Sequence, residues 1–154
     1  MRLKIRGTKE MIIPYNSYKS MAKVEPTTKY KKGHIAPEYL RFELHRICLV
    51  EATVKPGARQ SYAKRVLQYD EDFWGIVTQD VYDARGALWR SDMCVSAHAY
   101  EVPGVQIFMN LHFDLPSGIS SVNYDYSDYD NMPISDQRED ESYFLPDQIR
   151  RMGQ

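Results

Sequence analysis

Apolar and polar residues alternate along the middle of the chain. Between residues 39 and 55 the even positions are mostly apolar and the odd positions are mostly polar. A period of two over this length predicts a long β-strand with one buried face. Further patterns predict strands at residues 61–69, 73–83, 87–100, 105–115 and 119–126, with another within residues 3–13.

Breaker residues separate these strands and predict how they pair. The segment Asp83-Ala84-Arg85-Gly86 suits a type I turn with a left-handed Gly86, which would pair Asp83 with Ala87. That register would make three further cross-strand pairs: Val77 with Met93, Asp80 with Arg90, and Val81 with Trp89. Apolar side chains then meet apolar ones and an acid meets a base, which favours this register.

A second turn, at residues 115–118, returns the chain into the last predicted strand. A four-residue loop there would set Leu111 against Val122 and Met109 against Tyr124. The register between the second and third predicted strands stays open.

The predicted fold is mainly β, a curved antiparallel meander of six or more strands over residues 3–126, with few short helices. Residues 127–154 are expected to be a loop-rich acidic tail with one short helical turn at residues 145–151. We expect a single domain over residues 1–154. No amphipathic helix is available to cover the apolar face of the sheet. The sheet must therefore curl into an incomplete or half β-barrel, pair with another sheet, or meet a missing segment.

One face of the predicted sheet carries large apolar side chains that would line a concave groove. They are Val77, Val81, Trp89, Met93, Ile107, Met109, Leu111 and Phe113. Phe42 and Leu44 are assigned to the same face. Methionine and tryptophan suit a surface that adapts to varied apolar guests, and a closed core explains the same residues equally well.

Composition narrows the classes of function. The chain has 154 residues, and its 20 basic and 21 acidic side chains give a net charge of −1. It therefore lacks the basic excess of a general nucleic-acid binder, and no nucleic-acid partner is predicted. No apolar run approaches the about 18 residues of a membrane helix, and no signal-peptide pattern follows Met1.

The residues that carry chemistry are scattered along the sequence. The four histidines lack metal-ligand spacing and are expected at the surface, so no metal site is predicted. The acids at residues 70–72 are explained by a turn. Cys48 and Cys94 are assigned to opposite faces, so no disulfide is expected. Without a nucleophile and base in a known arrangement, the sequence favours a binding or carrier domain without a cofactor over an enzyme.

Several blocks of sequence resemble, in order, the C-terminal part of a bacterial family of unknown function. Its members are described as outer-membrane lipoprotein-sorting proteins and are similar to the LolA/LolB carriers. The most specific block is Tyr82-Asp83-x-Arg85-Gly86-x-Leu88-Trp89-Arg90. Further blocks are Arg41-Phe42-Glu43-Leu44-His45-Arg46, Val50-Glu51-Ala52-Thr53, Tyr62-Ala63-Lys64-Arg65 and Ile149-Arg150-Arg151.

This resemblance implies a LolA/LolB-like incomplete barrel with helices packed as a lid and a concave apolar cavity. The implied function is non-catalytic binding or transport of a lipid, a lipoprotein acyl chain or another hydrophobic guest in the periplasm or at the outer-membrane periphery. A membrane-associated transport partner or self-association would accompany it. Members are longer, so this chain is expected to be the C-terminal portion of a carrier. The alternative is a structural module that completes its sheet with a partner chain.

Overall fold

The computed structural model describes residues 1–100, 104–128 and 140–153. A seven-stranded antiparallel sheet dominates it, with the order β1-β4-β5-β6-β7-β8-β9. Its strands are β1 (Arg2–Pro14), β4 (Phe42–Thr53), β5 (Lys64–Asp70), β6 (Ile76–Tyr82), β7 (Leu88–Ala99), β8 (Gly104–Asp114) and β9 (Ile119–Asn123). Two short strands, β2 (Tyr30–Lys31) and β3 (His34–Ile35), form a separate hairpin. The predicted antiparallel meander of at least six strands is confirmed, and the sheet is open, with β1 and β9 at its edges.

The turn between β6 and β7 forms as predicted, but the strand register predicted beyond the turn is wrong. The Asp83 backbone N–H donates to the Ala87 carbonyl at 2.9 Å, and Gly86 has a φ of +81°. A β-bulge then follows, with Trp89 as the extra residue. The observed pairs are Thr78 with Met93, Asp80 with Ser91, and Val81 with Arg90.

Side-chain contacts explain why the bulge replaces the predicted pairs. The Trp89 indole N–H donates to Asp114 Oδ2 at 3.1 Å, and Arg90 Nε donates to the same oxygen at 3.0 Å. Arg90 therefore pairs with an acid on β8 rather than with Asp80, which accepts a hydrogen bond from the Ser91 hydroxyl at 2.9 Å.

Of the other predicted cross-strand pairs, one is confirmed and one is wrong. Leu111 lies opposite Val122, as predicted. The expected pair of Met109 with Tyr124 is wrong, because β9 ends at Asn123 and Tyr124 adopts a positive φ of 57°. The open register between β5 and β6 is settled by a second bulge, at which Val77 is the extra residue.

The chain covers one face of its own sheet. Residues 15–41, which we call the covering segment, contain two 3-10 turns, the helix α1 (Pro26–Lys29) and the β2–β3 hairpin. Their packing buries a core cluster made of Ile35, Val95, Ala97, Phe108, Met109 and Leu111. A smaller cluster contains Ile13, Tyr15, Ile47 and Val77. The expectation that this face lacks a segment to cover it is therefore wrong.

In the N-terminal half of β4, the apolar face that was predicted to be buried is exposed. Phe42 and Leu44 are 48% and 65% exposed, whereas Ile47 is fully buried. The covering segment packs on the side of the odd-numbered residues, so the even-numbered apolar residues face outward. Alternation identified the strand and its two faces, but it could not tell which face the covering segment would bury.

A buried ion pair holds the covering segment in place. Lys29 is only 1% exposed, and its Nζ donates to the Ser20 carbonyl at 2.9 Å. The same Nζ lies 3.0 Å from Asp125 Oδ2, just beyond β9. The pair thus ties α1 to the last part of the sheet.

The helical turn predicted at residues 145–151 corresponds to the helix α2 (Pro146–Met152). Residues 129–139 of the expected acidic tail lie outside the described residues. Across the described ranges, no helix has the length and apolar character needed to cross a membrane.

Cys48 and Cys94 are free thiols, but not for the predicted reason. Alternation places Cys48 on the face of Val50 and Cys94 on the face of Asp92, and strand pairing shows that these are the same face. The thiols are kept apart by β5 and β6, which separate their strands by three spacings of about 4.8 Å.

Candidate functional site

The face of the sheet opposite the covering segment is the candidate site, and we call it the open face. Directly opposed residues share a face, so strand pairing traces rows of side chains across it. One row is Ile5, Val50, Leu67, Gln79, Asp92, His112 and Ser121. A second row is Leu3, Ala52, Arg65, Val81, Arg90, Asp114 and Ile119.

These rows divide the open face into an apolar half and a polar half. Over β1, β4 and β5 most of the side chains are aliphatic, and Leu3 and Ile5 are 66% and 71% exposed. Over β6 to β9 most of them are polar or charged. A sheet face with this division can hold an amphipathic molecule, with apolar contacts at one end and polar contacts at the other.

A cavity of about 580 Å³ lies over the polar half. Side chains from β5 to β9 line it, together with Ser61, Tyr62 and Ser117 from the connecting loops. Because five neighbouring strands contribute to one cavity, the sheet is curved around it. Val81, Trp89 and Ile119 give the lining its apolar part.

A chain of hydrogen bonds fixes the polar side chains on the cavity wall. The Gln79 amide donates to Asp92 Oδ2, and Asp92 Oδ1 lies 2.9 Å from His112 Nδ1. The second ring nitrogen of His112 is 3.2 Å from Asn123 Nδ2. Both ring nitrogens are thus engaged by side chains that orient the imidazole.

Asp114 organises the other side of the cavity. Besides Trp89 and Arg90, it accepts a hydrogen bond from the Ser117 hydroxyl at 2.8 Å. The bonds from Ser117 and then Arg90 lower the pKa of the Asp114 carboxyl below its usual value. The Arg90 guanidinium also lies 4.1 Å from the centre of the Trp89 ring. Asp114 therefore stays ionised and holds both side chains against the sheet.

Arg65 is the basic group with spare hydrogen-bonding capacity at this cavity. Its guanidinium stacks 4.7 Å from the centre of the Tyr62 ring. Its Nε is buried and has no hydrogen-bond partner among the described residues. Arg65 also lines the cavity, so its guanidinium brings a positive charge to the wall, where an anionic or carbonyl oxygen of a bound molecule could pair with it.

The thiol of Cys94 is unsuited to nucleophilic chemistry. Burial, and then the neighbouring charge of Asp92, raise its pKa to about 11. The thiol is therefore protonated at neutral pH, whereas the thiolate is the reactive form.

The structure separates the eight side chains predicted to share one groove. Val81 and Trp89 line the cavity, whereas the Phe113 side chain faces the core side of the sheet. Met109 and Leu111 lie in the core cluster, where Met93 and Phe113 pack against them. Val77 belongs to the smaller cluster, and Ile107 is half-buried. The eight do not share one open surface, because bulges change the facing of residues and the covering segment closes the opposite face.

Sequence reasoning missed the polar wall of the cavity and one further group of side chains. The even positions 90, 92, 112 and 114 alternate with the apolar residues, and this alternation was the available signal. The further group is His45, Asp70 and Asp72, whose ligand atoms lie within 4.8 Å of one another. The His45 side chain is only 9% exposed, so the expected surface position for it is wrong.

Comparison with protein families gives a match over residues 1–150 to the family described as protein of unknown function, DUF1329. The chain is 44% identical over 122 residues to an uncharacterized protein of Pseudomonas aeruginosa. That alignment covers 75% of this chain and 26% of the relative, so the chain spans about a quarter of the relative's length.

Two solved structures are more distantly similar. A domain from Vibrio parahaemolyticus, described as an outer-membrane lipoprotein-sorting protein, aligns with a TM-score of 0.42 at 15% identity. The alignment covers 52% of this chain and 36% of that one. A DUF1329 family protein from Desulfovibrio piger aligns with a TM-score of 0.41 at 17% identity, covering 67% and 40% of the two chains.

Proposed function

The chain belongs to the DUF1329 family of proteins of unknown function, and we propose that it is part of a non-catalytic carrier for an amphipathic guest. The guest is a lipid, a lipoprotein acyl chain or a similar hydrophobic molecule, and it lies along the open face. The supporting observation is the division of that face into an apolar half, exposed at Leu3 and Ile5, and a polar cavity lined by Arg65.

The two halves would contact different parts of the guest. Apolar chains would cover Leu3, Ile5, Val50 and Leu67, and this contact would be driven by burial at about 25 cal/mol per Å². The head group would enter the cavity, where Arg65 can donate to an oxygen. The span from Ile5 to Gln79 crosses three strand spacings, about 14 Å.

A non-catalytic role is consistent with the chemistry of the side chains on the open face. The protonated Cys94 thiol is a poor nucleophile. The second ring nitrogen of His112 lies 3.2 Å from the Asn123 amide nitrogen. Asp92 and Asn123 therefore orient the imidazole, and neither ring nitrogen faces a hydroxyl that it could activate.

Probe binding tests the proposal. A fluorescent fatty-acid analogue is titrated into the chain and into the variants Ile5→Asp and Ile149→Asp. The two residues are 71% and 63% exposed, so both substitutions leave the fold intact, but only Ile5 lies on the open face. Losing an isoleucine contact of about 1.5–3 kcal/mol should weaken binding about 10- to 150-fold for Ile5→Asp, with no change for Ile149→Asp. Absence of probe binding, or equal weakening in both variants, contradicts the carrier.

The runner-up function is an interaction module that completes its sheet with another chain. The observation in its favour is the long edge strand β1, whose residues 2–10 are all exposed. Lysine and arginine side chains and the bulge at Gly7 oppose such pairing. Sedimentation analysis distinguishes the interaction module from the carrier, because a mass that doubles as the protein concentration rises favours the module.

The site of action follows from the same proposal. A lipoprotein carrier would work in the periplasm or at the outer-membrane periphery, beside a membrane-associated partner. Release of the whole protein by osmotic shock tests this placement, and retention with the cytosolic fraction contradicts it.

A further inference from the structure

Three side chains of the kinds that bind metals meet where β5 ends, away from the cavity on the open face. His45 comes from β4, Asp70 is the last residue of β5, and Asp72 lies in the turn that follows. His45 Nδ1 lies 2.8 Å from Asp70 Oδ2 and 3.1 Å from Asp72 Oδ2. We propose that these three side chains form a binding site for a divalent transition-metal cation, with Zn²⁺ as the test ion.

The spacing of the three ligand atoms fits an ion between them. Imidazole nitrogen and carboxylate oxygen bind Zn²⁺ at about 2.0–2.2 Å. Ligands at that distance on neighbouring corners of an octahedron or a tetrahedron are about 3.0–3.5 Å apart. The observed separation of 3.1 Å lies within this range and that of 2.8 Å lies just below it, so an ion requires a small outward adjustment of the ligands.

A buried carboxylate oxygen without a hydrogen bond points into the site. Asp70 is fully buried, and its Oδ1 accepts the backbone N–H of Asp72 at 2.6 Å. Its Oδ2 receives no hydrogen bond within the described ranges, although His45 Nδ1 lies 2.8 Å away. A buried carboxylate oxygen is costly unless a charge or a donor satisfies it. A cation placed between the three atoms satisfies it.

The charge of the cluster also favours a cation. Over the described part of the chain, the ion pairs of Asp70 and Asp72 are all with His45. The Tyr15 ring packs 4.1 Å from the His45 ring on the inner side of the cluster. Two carboxylates thus share one imidazole, and a divalent ion would balance their negative charge.

The site combines a fixed interior with an open side. His45 is 9% exposed and Asp70 is fully buried, and both are held by paired strands. Asp72 is 71% exposed and gives an ion a path from solvent. Three protein ligands leave at least one coordination position for water or for an outside ligand.

Calorimetry with matched variants tests the proposal. The untagged chain is stripped with EDTA and titrated with ZnCl₂ alone. We expect one ion per chain with micromolar or tighter affinity, and at least a tenfold loss for Asp72→Asn. The control is Glu71→Gln, which removes the same charge from the neighbouring residue, where the carboxylate is already paired with Arg46 at 2.6 Å. That variant should bind Zn²⁺ like the unmodified chain.

Two further measurements keep the result decisive. Circular dichroism should show that Asp72→Asn is folded, because its side chain is largely exposed. X-ray absorption of the zinc-loaded chain should show a first shell of nitrogen and oxygen that loses its imidazole signature in His45→Gln. The site is overturned if the stripped chain binds no Zn²⁺, or if Glu71→Gln weakens binding as much as Asp72→Asn. These results do not depend on binding of the fatty-acid probe, because the ligands lie outside the cavity.

Discussion

The buried Lys29–Asp125 pair should contribute strongly to closure of the core. We predict that Lys29→Met destabilises the chain, because it leaves the Asp125 carboxylate facing the interior without its cation. Methionine keeps most of the length of the lysine stem, so the packing around it changes little. The substitution therefore isolates the loss of the charge and of its bond to the Ser20 carbonyl.

The structure sets the expected size of the effect. Breaking a buried pair by removing one partner costs about 3–5 kcal/mol. The Asp125 side chain keeps 24% of its exposure and a hydrogen bond from the Tyr30 hydroxyl. We therefore expect about 3 kcal/mol for Lys29→Met. Asp125→Asn should cost about 4 kcal/mol, because the stranded Lys29 is only 1% exposed.

The double variant distinguishes the pair from its separate parts. Lys29→Met with Asp125→Asn leaves no unpaired buried charge, so its cost should be at least about 2 kcal/mol below the sum of the two single costs. Urea unfolding followed by circular dichroism gives the free energies, with unchanged m-values as a control. Strictly additive costs, or a loss below about 1 kcal/mol for Lys29→Met, would refute the reasoning.

Three further predictions concern other parts of the chain. Burial by itself raises the pKa of Asp125, but hydrogen bonds from Tyr30, Ser127 and Lys29 lower the pKa overall. The ionised carboxylate should therefore stabilise the fold fully above about pH 4, and this stabilisation should disappear as the pH falls through the pKa of the folded state. Comparing acid unfolding with that of Asp125→Asn checks this, and equally steep acid limbs would contradict it. In a Cys48→Ala background, Cys94 should resist iodoacetamide at pH 8, because about one thiol in a thousand is ionised there, and it should react after urea unfolding. Rapid labelling of the folded chain would instead show that the thiol is accessible and activated. Gly86→Ala should cost about 1–2 kcal/mol in urea unfolding, because an added Cβ meets open space but φ is +81°; unchanged stability would count against the left-handed turn.

Local patterns in the sequence were sufficient for the strands and one turn. Alternation at residues 39–55 identified β4, and similar patterns identified the strands up to β9. The residues 83–86 formed the predicted turn with a left-handed Gly86. These features depend on neighbouring residues, whose steric and hydrogen-bonding preferences act over a few positions.

The candidate sites depended on contacts between residues far apart in the chain. Trp89 becomes a bulge because Asp114 accepts its indole N–H, and that partner lies 25 residues away. This bulge changes which residues of β7 share a face with those of β6, so the polar residues of the cavity could not be placed by alternation alone. His45 likewise approaches Asp70 only after β4 pairs with β5.

The sequence by itself therefore determined which segments are strands and where one tight turn lies, because those choices are made by local sterics and side-chain alternation. The tertiary structure decided which face is buried, where the bulges fall and which polar groups meet. Residues 15–41 close over one side of the sheet because their packing is favourable. That free energy comes from burying apolar side chains together, as in the cluster that joins Ile35 to Phe108 and Leu111. Such contacts join residues that have no relation in the sequence until the chain has folded.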